Sequence, residues 1–83
     1  MSSVSRHAEA WLKIRNASQR VSLNSGEKYS LVKEWAKAFL EEVGDWGIAV
    51  FGKGVVTVRQ LVEEPEKYPD FVEFIFKIAR GGE

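Results

Sequence analysis

The chain has 83 residues, 45% of them hydrophobic, with three Trp, five Phe and no Cys, and its 12 basic and 12 acidic residues cancel. That length holds one domain, residues 1–83, with an expected radius of gyration of about 12 Å, and the apolar content excludes a disordered chain. Without Cys there is no disulfide and no thiolate metal site, and no apolar run approaches the ~18 residues of a membrane span.

The start, MSSVSRHAEAW, lacks the apolar stretch of a signal peptide, so the expected location is the cytoplasm. Few Asn, Gln and Met and no Cys lean towards a thermophile source. The halves differ in charge. Residues 1–38 hold seven basic and three acidic residues, net +4; residues 39–83 hold five basic and nine acidic, net −4. Such asymmetry fits a basic face for anions or head-to-tail pairing of chains; the plain alternative is a chance imbalance that folding smooths out.

Residues 4–20 read as a first helix. Val4, Ala8, Trp11, Ile14, Ala17 and Val21 share one face, Ser3 or Ser5 serves as N-cap, and Arg6, Glu9, Lys13, Asn16 and Arg20 lie opposite. The segment 22–27 is a connection with Asn24, Ser25 and Gly26 as turn residues. A second helix is expected from about Lys28 to Val43, with Leu31, Val32, Trp35, Ala36, Ala38, Phe39 and Val43 inward, Lys33, Lys37 and Glu41 outward, and Gly44 as its stop.

Residues 45–56 admit two readings. One is a short helix from Trp46 to Phe51; the other is a hairpin with strands 47–51 and 55–58 turning at Gly52-Lys53-Gly54. The poor alternation favours the short helix. Thr57 and Gln60 form a capping box, flanked by a Val56–Leu61 hydrophobic staple, so a helix starts at Val58 and stops before Pro65.

The most apolar stretch, PDFVEFIFKIAR (69–80), carries its charges Asp70, Glu73, Lys77 and Arg80 on one narrow helical stripe. Pro69 at a first helical position, the Glu73–Lys77 pair and Gly81 beyond the end favour helix over strand. Phe71, Val72, Phe74, Ile75, Phe76, Ile78 and Ala79 cover the rest of the circumference, so this helix is expected to be wrapped on nearly every side. The predicted fold is an all-α bundle of four to five short helices around it, with α+β and one hairpin at about 47–58 as the alternative.

Few side chains suggest chemistry. Gly47 to Lys53 matches the spacing GxxxxGK, but Gly54 stands where a phosphate loop needs Ser or Thr for magnesium, and too little chain remains for a nucleotide-binding sheet. Gly52 to Val62 resembles the hairpin of helix-hairpin-helix motifs, with Gly52, Gly54, Leu61 and Val62 in place. Lys53 and Val58 depart from the pattern, and a plain turn and helix cap explains the same residues. The resemblance implies contact between the Gly52–Val55 amides and a nucleic-acid phosphate.

His7 has no partner placed by sequence to orient it as a general base. Glu41, Glu42 and Asp45 end one helix and Glu63, Glu64 and Glu66 the next, where acids are unfavourable. They are therefore expected to face basic residues from elsewhere in the chain or from a partner. No convergent polar site is legible, so no enzyme, metal, cofactor, small-molecule substrate or membrane role is expected.

The leading functional expectation is a protein-interaction or self-assembly module, with another protein or a second copy as partner, acting through Trp35, Trp46, Phe71, Phe74 and Phe76. The alternative is a nucleic-acid (DNA or RNA) backbone binder using Arg6, Lys13, Arg15 and Arg20 of the first helix and the Gly52-Lys53-Gly54 turn.

Overall fold

A computed structural model describes residues 5–20 and 22–81. Helix α1 spans Arg6–Ala17 and begins at Ser5, whose hydroxyl accepts the Ala8 N–H. Val4 and Val21 of its expected apolar face lie outside the described residues; Ala10, Ile14 and Ala17 are its buried positions.

Helix α2, Ser25–Glu42, starts three residues before the expected Lys28. Asn24 accepts the Glu27 N–H at 2.8 Å, and the Glu27 carboxylate accepts the Asn24 N–H at 3.3 Å. This capping box satisfies two otherwise free amides, so the presumed turn residues Ser25 and Gly26 become helix. Gly44, at φ +130°, turns the chain out of α2 and donates to the Phe39 carbonyl at 3.1 Å.

The all-α expectation needs correction. Residues 46–51 do not form a short helix; strands β1 (Gly47–Val50) and β2 (Gly54–Thr57) pair antiparallel, Gly47 opposite Thr57 and Val50 opposite Gly54. The fold is mostly helical with one small hairpin, the α+β alternative. Branched Ile48, Val50, Val55 and Val56 suit a pleated surface. Gly52 and Gly54, at φ +80° and +96°, allow the tip to turn, and the Lys53 N–H closes it on the Val50 carbonyl at 2.9 Å. Ile48, Val50 and Val56 face the core from one side of the hairpin.

Helix α3, Val58–Glu63, has the expected capping box. Thr57 Oγ1 accepts the Gln60 N–H at 3.1 Å and Gln60 Oε1 accepts the Thr57 N–H at 2.9 Å. Pro65, buried, opens a 3-10 turn through Lys67, and helix α4 follows as Pro69–Arg80.

Ile14, Val32, Val58, Leu61, Val72 and Phe76 are among the largest fully buried side chains of one core that α1, α2, β2, α3 and α4 share. The radius of gyration is 12.3 Å, close to expectation. Helix α4 is not wrapped on nearly every side. Phe71, Val72, Ile75, Phe76 and Ala79 are buried, but Phe74 is half-buried and Ile78 is 45% exposed. A chain of this length has no second layer to lay over its outer flank.

Phe76 is 1% exposed and Phe51 fully exposed. Phe76→Ala is therefore expected to lower unfolding free energy by about 3–5 kcal/mol and Phe51→Ala by at most about 0.5 kcal/mol. Guanidinium unfolding monitored by circular dichroism measures both.

Candidate interaction surface

Helix α1 ends at Ala17, short of the expected residue 20, and the basic residues expected on the first helix largely meet acids of their own chain. Arg6 bridges Glu41 and Glu42, Lys13 lies 2.9 Å from Glu34, and Arg20 lies 3.8 Å from Glu27. Arg15 is exposed in the last turn. At the hairpin tip, Lys53 lies 3.4 Å from Asp70. Two basic residues of the first half reach acids of the second: Arg6 pairs with Glu41 and Glu42, and Lys28 with Glu73 at 2.8 Å.

Glu42 is the densest of these junctions. Its carboxylate accepts the Arg6 and His7 backbone N–H groups at 3.0 and 3.1 Å and the Arg6 Nε–H at 3.1 Å, and it lies 2.6 Å from His7 Nδ1. One side chain at the end of α2 therefore caps the start of α1, and the expectation that the acids of 41–45 face basic groups holds. Asp45 likewise accepts the Arg59 N–H at 3.0 Å, at the start of α3. The His7 backbone and ring hydrogen bonds, with smaller help from Arg6, hold the Glu42 carboxyl down at about 2 from an ordinary 4.5. The His7 ring also packs edge-on against Phe39, with centroids 5.3 Å apart.

Gly52 and Lys53 sit at the hairpin tip and Gly54 opens β2, so the rest of that strand separates all three from the start of α3. The residues before Gly52 form a strand. The implied helix-hairpin-helix geometry, with glycine amides at a helix start, is not formed: the Val55-Val56-Thr57 stretch pairs with β1 instead. The Lys53 amide is already hydrogen-bonded within the turn.

The expected interaction residues divide. Trp35, Phe71 and Phe76 are 9%, 5% and 1% exposed, so they belong to this chain's own core. Trp35 packs between Trp11 and Phe39, and Tyr68 stands edge-on to Phe71. Phe74 is half-buried. Only Trp46 is open, at 61%, with its indole nitrogen over Gly44.

Leu12 on α1 and Ile78 on α4 are exposed at 51% and 45%, but the most exposed apolar side chains lie on and beside the hairpin. Phe51 at the hairpin tip is 103% exposed, Val55 65% and Val43 46%. On the outer side of the hairpin, Gly47, Ala49 and Val55 are all exposed, and the Val55 side chain leans so close to Gly47 that a Cβ there would lie 3.1 Å from it. From Trp46 to Val58 the only charge is Lys53. Sequence reading missed Phe51 and Val55 because it favoured a helix here. The available signal was Phe51 beside Gly52: in a hairpin, that position is the tip and has no core to reach.

Two shallow hollows also mark the surface. One, of about 300 Å³ between α1 and α2, has Arg6, Lys13 and Lys37 alternating with Glu9 and Glu34 above Ala10 and Ala38. The other, of about 180 Å³, gathers Ser18, Arg20, Lys28 and Arg80 around Phe76. Among the described residues no three His, Cys, Asp or Glu are grouped to hold a metal ion, and no helix is long and apolar enough to cross a membrane. No protein family, curated protein or solved structure matches this chain.

The depressed Glu42 carboxyl makes stability depend on acid. Its contribution is fully present above its ordinary value of 4.5 and is lost as pH falls through about 2. Glu42→Gln should destabilise the chain at pH 7 and flatten the loss of stability between those values, as followed by thermal unfolding across a pH series.

Proposed function

We propose that this protein is a non-catalytic interaction module whose contact surface is the hairpin at 46–58. The observation that carries the reading is a fully exposed Phe51 together with a 61% exposed Trp46 on an otherwise nearly uncharged hairpin. Scattered apolar residues are normal on protein surfaces; large aromatics gathered on one projecting element mark a contact site. Aromatic side chains are also the ones most often central to interfaces. The expectation of an aromatic contact surface is retained, but its place moves from the helix faces to the hairpin.

The nucleic-acid alternative has less support. Arg6, Lys13, Arg20 and Lys53 each lie beside a carboxylate, which offsets the attraction for phosphate. Under this reading, mixed DNA and RNA should show no binding that weakens steeply between about 50 and 200 mM salt.

The double variant Trp46→Lys, Phe51→Lys tests the proposed surface, since neither residue belongs to the buried core. The folded variant should lose the associations of the wild-type chain, whether with itself in sedimentation or with proteins retained from a cell extract. A variant that keeps every one of those associations would refute the reading.

A further inference from the structure

The hairpin's free edge names its occupant, in an inference that rests on the reading of the hairpin as a contact surface. The Val58 N–H donates to the Trp46 carbonyl at 2.8 Å, which sets the phase of the ladder. Residues 46 and 58, 48 and 56, and 50 and 54 are then the hydrogen-bonded pairs, and the N–H and C=O of Gly47 and Ala49 point away from β2. Among the described residues these groups have no hydrogen-bond partner outside the hairpin ladder. Both residues are exposed, and for Gly47, lacking a side chain, that exposure belongs to the backbone.

Sheet edges are ordinarily protected by a Lys, a Pro or a bulge. Strand β1, Gly-Ile-Ala-Val, carries none of these, and a two-stranded sheet is the least self-sufficient kind.

We infer that β1 pairs antiparallel with β1 of a second copy, about a two-fold axis near Ala49, to give a four-stranded sheet. Three features select a second copy over another partner. An antiparallel edge is its own complement under a two-fold axis. Trp46 and Phe51 flank β1 at opposite ends, so the same operation sets Phe51 of each copy beside Trp46 of the other. A formal net charge of zero leaves no overall repulsion between copies. The two aromatics offer roughly 300 Å² per copy, given side chains of about 150–250 Å², so the dimer belongs to the weak, transient class.

Sedimentation equilibrium of the full chain, from about 5 to 500 μM, spans the range in which so small an interface assembles. Amide hydrogen exchange at both ends of that range locates the contact. The expected result is a monomer–dimer equilibrium in which Gly47 and Ala49 exchange more slowly as concentration rises while Val55 does not. Ala49→Pro removes an edge donor, and Phe51→Lys removes an aromatic that touches no core; each should weaken the dimer at least about tenfold.

A chain that stays monomeric at the highest concentration overturns the inference. So does a dimer whose new protection falls on other amides, or one that Phe51→Lys leaves unchanged. A monomeric wild type whose captured proteins are still lost in the Trp46→Lys, Phe51→Lys variant would remove self-pairing while the contact surface stands.

Discussion

Burial of one face of α4 is the contact around which the rest of this chain is arranged. Phe71, Val72, Ile75, Phe76 and Ala79 fall on a single side of the helix, and α1, α2 and the inner face of the hairpin close over it. An 83-residue chain can supply one such cover and no more. Exposed apolar residues among the described ones follow from that limit. Ile78 lies on the uncovered flank of α4, Leu12 on the outer side of α1, and Phe51 and Val55 project from a hairpin whose other face is already used.

Charge works at the joints of this arrangement. Glu42 ends α2 where an acid opposes the helix dipole, yet it is placed there to accept two amides at the start of α1, so one carboxylate ties two helix ends together. Asp45 does the same for the start of α3 through the Arg59 amide. Exposed pairs such as Lys13–Glu34 contribute little stability by comparison, but they decide what the surface offers: α1 presents a face of paired charges instead of a cationic stripe. Electrostatics is thus spent mainly on helix starts and register, which leaves the hairpin as the surface least committed within the chain.

That hairpin combines three properties seldom left together: aromatic side chains in water, an outer face of Gly47, Ala49 and Val55, and a backbone edge without charge or proline. Each is tolerable alone. In combination they give both the side-chain area and the directional hydrogen bonds by which a strand is added to a sheet.

The sequence by itself determined the three long helices, the Thr57–Gln60 cap, the stop at Pro65 and the Gly44 exit, because capping, proline geometry and helical periodicity act over four or five residues. It also determined that Trp35, Phe71 and Phe76 had to be buried, though not whether their own chain or a partner would bury them. Tertiary structure alone decided that. It decided the hairpin too, since the branched residues of 47–56 fit helix or strand until the core offers Ile48, Val50 and Val56 a flat surface to lie on. The partners of Glu42, 35 and 36 residues away in the chain, and the exposure of Phe51 follow from how the elements pack, and no local pattern carries that information.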